Sequence, residues 1–470
     1  MTALDSIVAT LEDDLLPGLN FSLSSHRAAS YVKQRSFSSF FPSGSNVYSS
    51  TTGQRVIVIR VADGGKSMLD LSSIRLAFEI KNTDGTKRLY LSGGHLACLF
   101  QRLTLRIAGT QCEDILFCNR LCAMLNQFRS VNSQFSAHIG GVGAGASQVA
   151  LSMDRLIPEP IAANSTRRVV IDLPCGLFAS HYLLPIGRFP LEVTLELAAA
   201  DAVAMTGPIK AGATGDGGAD VNCSTTYEIS NVRLLADTIS LDGALSDNID
   251  EALLQGKPLS IAYSSWSNQY FTLPGLPDTN AAWNVLINRS FSRLQSVFMN
   301  FLPTFTVPQR EWTQTNTFTC WHGGADPALG QQVAPPAYNY ARDQWRFQLQ
   351  AGPHLWPSMP MNSFAEGYYQ LQKAVGQLIS ETGLALGPHY RSRSYHMAID
   401  LEKSASTASS AGVTMSGLNT KASNDQIRLE WQGVTSDATV NKSYKPSAVF
   451  VLCNYACVVE LRAEGVIFAD

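Results

Sequence analysis

The chain has 470 residues, 45% of them apolar and only 16% charged, and a net charge of −3 at pH 7. A charged fraction well below the roughly 25% of ordinary soluble proteins indicates long neutral loops or a surface that meets other protein over much of its area. Neutralisation of phosphates by basic side chains supplies most of the affinity of proteins for nucleic acid. The near-neutral net charge therefore argues against a protein whose main function is to bind nucleic acid.

The first twenty residues lack the basic start and apolar centre of a secretory signal peptide. No stretch of the chain approaches the ~18–20 apolar residues of a membrane span, so we expect a protein made in the cell interior. Six apolar residues near the start are spaced for one face of a short amphipathic helix. They are Leu4, Ile7, Val8, Leu11, Leu15 and Leu16. A helix this short is not stable alone, and we expect it to become ordered against other protein.

Apolar and polar residues alternate along several segments of the first half, which predicts half-buried antiparallel strands. The segments are 74–80 (IRLAFEI), 102–107 (RLTLRI), 191–197 (LEVTLEL) and 227–235 (YEISNVRLL). Their polar positions share one face, as expected where one side of a sheet meets water. Residues 115–128 instead carry apolar side chains at helical spacing and predict a short helix.

The second half repeats these signals. Residues 364–380 have helical spacing, whereas 427–431 (IRLEW) and 456–463 (ACVVELRA) read as strands. Neither predicted helix alternates with strands as a parallel α/β sheet requires. The apolar run at 466–468 reaches to within two residues of the end, and we expect it to pair into a sheet.

Three long segments of small and neutral residues separate the strands, at 139–148, 198–223 and 402–425. Loops longer than about 12–15 residues are uncommon in compact domains unless they are functional or disordered. They suggest extended loops at the tips of a β-sandwich.

A weak internal repeat suggests two similar halves. The tripeptide Ile-Asp-Leu occurs at 171–173 and again at 399–401, and each copy precedes a loop and then an alternating strand. Short matches arise by chance, so the repeat makes a duplication more plausible without establishing one.

These signals predict an all-β fold of two consecutive eight-stranded jelly rolls, a double jelly roll with a few short helices and long loops. We place an N-terminal arm at 1–35, a first jelly roll at 36–240, a linker at 241–256 and a second jelly roll at 257–470. An immunoglobulin sandwich would be nearer ~100 residues, and its Cys…Trp…Cys spacing is missing from the sequence.

Motifs that would carry catalysis are incomplete. Residues 63–67 (DGGKS) end like a phosphate-binding loop, but Arg60 stands where its first glycine belongs, so we predict a strand-connecting turn. Residues 321–324 (WHGG) resemble the oxyanion loop of esterases, but the chain has no GxSxG nucleophile motif, and we predict a glycine-rich loop. We therefore predict no catalytic residue, no cofactor and no enzymatic activity.

The nine cysteines form no CxxC pair, and the eight histidines form neither HxH nor HExxH. Since zinc sites need such close spacing, we predict no metal site and expect buried, reduced thiols. One segment combines cations with aromatic rings, through Tyr390, Arg391, Arg393 and Tyr395. Such residues suit nucleic-acid stacking, but they are also enriched at protein interfaces, and we favour an interface.

With the strands placed, the first half resembles the first jelly roll of major capsid proteins from Polinton-like viruses, adintoviruses and virophages. The similarity lies in the order of four segments and is much weaker over 257–470. The segments are 36–61, which begins SFSSFFPSG, 69–82 (LDLSSIRLAFEIKN), 96–125, which begins LACLFQRLTLRI, and 171–197, which begins IDLPCGLF.

The resemblance implies a structural subunit of the virion. Capsid proteins of this type form homotrimers, hexon-like pseudo-hexameric capsomers that tile an icosahedral capsid around double-stranded DNA. The implied partners are the chain itself, neighbouring capsomers, a penton protein and minor or cement proteins, without strong direct binding of nucleic acid. Residues 1–20 of the arm would then become ordered against neighbouring subunits or an internal protein. The alternative is a non-viral jelly-roll protein for carbohydrate binding or adhesion.

Overall fold

The computed structural model of the chain describes residues 32–49, 54–89, 96–129, 161–198, 224, 226–273, 282–303, 345–375, 396–403, 416–422, 425–433 and 446–470. Strands dominate these ranges, as the period-two alternation of the sequence predicts.

Eleven strands and three helices are described in the first half. The strands are β1 (Val32–Phe40), β2 (Val47–Tyr48), β3 (Val56–Val61), β4 (Ser67–Asp70), β5 (Arg75–Asn82), β6 (Phe100–Ile107), β7 (Thr110–Leu116), β8 (Thr166–Ile171), β9 (Leu183–Pro185), β10 (Leu191–Leu197) and β11 (Tyr227–Leu241). The helices are α1 (Cys118–Phe128), α2 (Gly176–Ala179) and α3 (Gly243–Leu254).

Nine strands and one helix are described in the second half. The strands are β12 (Leu259–Thr272), β13 (Ala282–Ile287), β14 (Leu294–Pro303), β15 (Trp345–Ala351), β16 (His354–Met361), β17 (His396–Asp400), β18 (Ile427–Gly433), β19 (Pro446–Arg462) and β20 (Gly465–Ala469). The helix is α4 (Phe364–Val375).

The strands form four antiparallel sheets, two in each half. Sheet 1A has the order β8-β5-β11-β4-β9, with β1 and β2 also on β11, and sheet 1B has the order β3-β10-β6-β7. Sheet 2A has the order β12-β19-β14-β17, with β20 on β19, and sheet 2B has the order β13-β18-β15-β16. Both halves therefore share one strand order, that of an eight-stranded jelly roll, which confirms the predicted double jelly roll.

The weak sequence repeat falls on equivalent strands. The first Ile-Asp-Leu copy begins at the last residue of β8, which pairs with β5, and the second begins at Ile399 in β17, which pairs with β14. The alternating strands that follow are β10 and β18, each second in its four-stranded sheet. The two copies therefore occupy the same place in the two rolls.

The buried core of each roll is formed by the apolar positions of its alternating strands. In β10, Leu191, Val193, Leu195 and Leu197 are all buried, and the residues between them are half-buried. The C-terminal run forms β20, whose register places Val466 opposite Leu461, which confirms the predicted pairing.

Of the two predicted helices, one begins later than expected and the other lies only partly within the described residues. The helix predicted over 115–128 begins at Cys118, because Ile115 belongs to β7 and pairs with Leu103 of β6, and Phe117 turns the chain with a φ of 51°. The helix predicted over 364–380 is described as Phe364–Val375, and residues 376–380 lie outside the described ranges.

The predicted loop at 139–148, all of the loop at 198–223 except residue 198, and the start of the arm lie outside the described residues. Of the predicted loop at 402–425, only 402–403, 416–422 and 425 are described. The division into arm, rolls and linker stays a prediction. The structure adds that β1 starts at Val32 and that α3 lies between β11 and β12.

Candidate functional site: the junction between the two jelly rolls

The two rolls meet where β7 of the first lies beside sheet 2A of the second. The Tyr263 hydroxyl of β12 donates to the carbonyl of Cys112 at 3.0 Å, and the Asn268 amide donates to the carbonyl of Leu116 at 2.7 Å. At the other end of β7, the Thr110 hydroxyl donates to the carbonyl of Val466 at 3.3 Å. Polar bonds to the backbone thus follow the whole length of β7.

A β-bulge explains why β7 can receive these bonds. Gln111 pairs with Arg106 and Glu113 pairs with Leu105, so Cys112 has no opposite residue in β6. A bulged residue leaves the ladder and redirects its backbone groups. The Cys112 carbonyl is thereby available to Tyr263.

Helix α1 covers the outer face of sheet 2A with aromatic contacts. The Phe117 ring lies 5.2 Å from that of Phe450, and the Phe128 ring lies 5.9 Å from that of Phe298 and 5.2 Å from that of His396. Aromatic pairs at these distances contribute about 0.5–1.5 kcal/mol beyond the area they bury. The junction therefore resembles a second hydrophobic core.

Sheet 2A is consequently buried on both faces. Residues 448–453 of β19 are all buried, whereas inward and outward positions alternate along most of the equivalent strand β11. Strands covered on both sides have continuous apolar sequences in place of alternation. This explains why the sequence predicted only 456–463 of a strand that begins at Pro446.

His396 and Asn300 form a buried polar pair within the junction. The His396 Nδ1 lies 2.6 Å from the Asn300 Oδ1, and the Asn300 amide donates to the Met124 sulfur at 3.5 Å. Complete burial lowers the pKa of His396 to about 3, so its ring is uncharged at neutral pH. His396 is thus a structural histidine of the junction.

Arg120 is the largest fully buried side chain of the described residues. Its guanidinium carbon lies 4.8 Å from the centre of the Phe450 ring, a cation–π contact across the junction. Burial lowers the pKa of Arg120 to about 9, so the group stays charged at neutral pH.

Glu113 is a second buried ionisable group and is 1% exposed. Its carboxyl accepts hydrogen bonds from the backbone N–H groups of Gly176 and Leu177, both at 3.2 Å, and from the Cys175 thiol at 2.8 Å. Burial raises the pKa of Glu113 against the opposing effect of these bonds.

Gly176 brings α2 into direct backbone contact with the second roll. A Cβ atom at this position would lie 1.6 Å from the carbonyl oxygen of Ser264 in β12. Glycine permits the close approach because it has no Cβ.

Removal of the Tyr263 hydroxyl tests the polar part of the junction. We expect Tyr263→Phe to lower the free energy of unfolding by about 1–2 kcal/mol, because it leaves a buried carbonyl without its donor. Urea denaturation measures the change. Tyr182→Phe is the matched control at a tyrosine that is 46% exposed, where the change should stay within about 0.5 kcal/mol. Equal losses in the two variants would show that the Tyr263 bond contributes no stability.

The sequence missed the junction residues, although two signals point to them. Glu113 shares the phase of the apolar Ile115 in its strand, and Arg120 shares a helix face with Met124. A charged residue in an apolar phase is a reason to suspect burial. The bulge at Cys112 hides this signal, because it shifts the alternation within β7.

The predicted site residues lie elsewhere in the chain. The six arm residues, Leu4 to Leu16, and the segment from Tyr390 to Tyr395 fall outside the described residues. Residues 63–67 form the predicted turn between β3 and β4, in which Asp63 accepts from the N–H of Gly65 at 3.3 Å. Residues 321–324 are not described.

Seven cysteines lie within the described residues, and all are free and buried, as the sequence predicts. Over those same ranges, no group of three or more His, Cys, Asp or Glu side chains is arranged to hold a metal ion. No helix of the described part is long and apolar enough to cross a membrane.

The outer face of sheet 1A is the counterpart of the face that α1 covers on sheet 2A. It carries exposed apolar side chains, among them Phe37 at 69% and Val170 at 43% exposure. Arg168 and Arg233 lie nearby and are also exposed. Large exposed apolar side chains grouped on one surface are typical of protein-binding faces.

Sequence and structure comparisons differ in what they find. Neither a protein-family model nor a curated protein matches the chain. Solved structures do match. VP54 of PBCV-1, fitted into a cryo-EM reconstruction of the virophage Sputnik, has a TM-score of 0.57 at 13% identity, with 94% of this chain and 97% of that chain covered.

Two further structures agree. The Faustovirus major capsid protein has a TM-score of 0.56 at 10% identity and covers 93% of this chain and 90% of its own. A chain of the Sputnik virophage cryo-EM structure has a TM-score of 0.54 at 11% identity, with coverages of 93% and 89%. The similarity spans both rolls, so this chain has the double jelly-roll fold of these proteins.

Proposed function

We propose that this chain is the major capsid protein of an icosahedral double-stranded DNA virus or virophage, of the Polinton-like virus, adintovirus or virophage type. The observation that carries the proposal is the fold match, which covers 93% of the chain against a viral major capsid protein. The buried junction supports the proposal, because a capsid subunit must hold its two jelly rolls in one fixed orientation. The role is architectural and not enzymatic.

The shared strand order of the two rolls suggests how copies assemble. Within the chain, β7 and α1 of the first roll cover sheet 2A of the second. If the strand and helix at the same place in the second roll, β16 and α4, cover sheet 1A of the next copy, the contact repeats head to tail. A head-to-tail contact closes into a ring when the rotation permits it. Three chains then supply six rolls, which is a pseudo-hexameric capsomer.

The remaining chain segments fit the same scheme. Residues 1–20 would become ordered against neighbouring subunits or an internal protein, and the segment from Tyr390 to Tyr395 would lie at a subunit contact. Penton and minor or cement proteins would be further partners in the virion. The near-neutral charge leaves genome condensation to other proteins.

Solution mass and imaging test the proposal directly. Size-exclusion chromatography with light scattering should give trimers, and electron microscopy should show pseudo-hexagonal particles that pack into shells. A chain that stays monomeric at all concentrations and never forms ordered arrays would contradict the capsid role.

A charge placed on sheet 1A tests the contact between copies. We expect Phe37→Asp to weaken each interface by about 2 kcal/mol, since buried aromatic side chains dominate interface energies. Trimers should dissociate while the melting temperature of the separated chain stays unchanged, because Phe37 is exposed within one chain. Leu254→Asp, at the exposed end of α3, is the matched control and should leave the trimer intact. Intact Phe37→Asp trimers would remove sheet 1A from the interface.

A further inference from the structure

Three elements converge on Glu113: its own strand β7, helix α2 and strand β12. We propose that Glu113 is a proton-controlled latch between the two jelly rolls, which holds them together while its carboxyl is protonated and loosens when the carboxyl ionises. The consequence for a shell rests on the proposed function, but the latch itself is a property of one chain.

Burial without a cationic partner favours an uncharged Glu113, against the opposing effect of its hydrogen bonds. The carboxyl is 1% exposed, and within the described residues no lysine or arginine forms an ion pair with it. Two backbone N–H groups and the Cys175 thiol, whose sulfur lies 2.8 Å from one carboxyl oxygen, donate to it, and the Ser265 side chain of β12 also lies against the carboxyl. A buried carboxylate without a cation is costly, so an ionised Glu113 favours any opening that admits water.

The titratable neighbours remain neutral where Glu113 changes charge. On its own strand, burial raises the pKa of Cys112 to about 12. Burial likewise raises the pKa of Cys175 beside α2, of Tyr263 in β12 and of Cys457 in β19. Since Glu113 starts from an ordinary value of 4.5, it ionises first within this cluster.

The groups that cover Glu113 lie at the junction. The N–H groups that bind its carboxyl belong to the first turn of α2, and Gly176 in that turn touches β12 at Ser264. Tyr263 closes the other side through its bond to Cys112, the residue before Glu113. Hydration of the carboxyl therefore requires β7 and α2 to separate from β12.

The direction of the pH effect follows from the raised pKa. In the closed junction the carboxyl holds its proton more tightly than in the open one, so the latch stabilises the closed form fully at acidic pH. That contribution is lost as the pH rises from the ordinary value of 4.5 to the raised pKa of the closed form. Across this window the open fraction increases by about tenfold per pH unit.

Hydrogen exchange of the full chain tests the latch. Exchange rates of amides in β7 and β12, divided by their intrinsic rates, should rise by up to about tenfold per pH unit and then reach a plateau. Amides of β10 should show no such rise. Glu113→Gln should abolish the slope, whereas Glu192→Gln on β10 of the same sheet, one strand further away, should retain it.

A second pair of variants covers the case in which Glu113→Gln does not fold. Cys175→Ala removes a donor to the carboxylate and should move the plateau to higher pH. Cys175→Ser supplies a stronger donor and should move it to lower pH. A flat profile in the unmodified chain, or the same plateau in both Cys175 variants, would overturn the latch. Shells that form despite a flat profile would refute the latch alone, and a sloping profile in a chain that never assembles would refute only the capsid role.

Discussion

Replacement of Gly176 by valine should break the junction between the two rolls. A Cβ at this position would lie 1.6 Å from the Ser264 carbonyl oxygen, and the obstruction is backbone that cannot rotate away. Overpacking usually costs about 1–3 kcal/mol, and a clash with fixed backbone belongs at or above the top of that range. We expect a loss of about 3 kcal/mol or more, measured by thermal unfolding, together with faster hydrogen exchange in β7 and β12.

Gly243 provides the matched control for this substitution. It opens helix α3, and a Cβ there would meet nothing within 4 Å. Gly243→Val should therefore change the free energy of unfolding by no more than about 0.5 kcal/mol. Comparable losses at the two glycines would mean that valine destabilises through helix or chain propensity, and that the contact between α2 and β12 is dispensable.

The sequence revealed the fold where the two faces of a strand have different surroundings. The alternation in 191–197 coincides with β10 because one side of that strand faces the core of the first roll. Strand β19 extends ten residues beyond its predicted start, toward Pro446, where both faces are covered and alternation disappears. Length and alternation therefore predicted two jelly rolls, but not the surface that joins them.

The junction depends on contacts that no local pattern records. The bond from Tyr263 to Cys112 joins residues 151 positions apart, and the one from Asn268 to Leu116 joins residues 152 apart. Local spacing identifies which side chains share a face, but not which distant face will cover them. The internal repeat points to the equivalence of the two rolls. Their equivalent strands in turn identify sheet 1A as the counterpart of sheet 2A.

Removal of residues 464–470 should destabilise the second roll and weaken its link to the first. Strand β20 pairs with β19 from Val458 to Arg462, and its half-buried Val466 and Phe468 pack against the core. Each such side chain contributes about 1 kcal/mol at half burial, and each lost hydrogen bond a similar amount. We expect a loss of about 3–5 kcal/mol and a melting temperature lower by on the order of 5–10 °C.

Part of this loss belongs to the last residue, and a single substitution separates it. The Asp470 carboxylate lies 2.8 Å from the Arg289 guanidinium and also pairs with Lys421, while Arg289 lies over the Tyr455 ring at 4.4 Å. Asp470→Asn should therefore cost about 1–2 kcal/mol, less than the full truncation, because it leaves β20 in place and removes only the charge that holds Arg289. Ile467→Ala, at an exposed position of the same strand, should cost less than either. If the truncated chain melted at the same temperature as the full chain, β20 would contribute no stability to the second roll. The stability of that roll would then come entirely from the strands before β20.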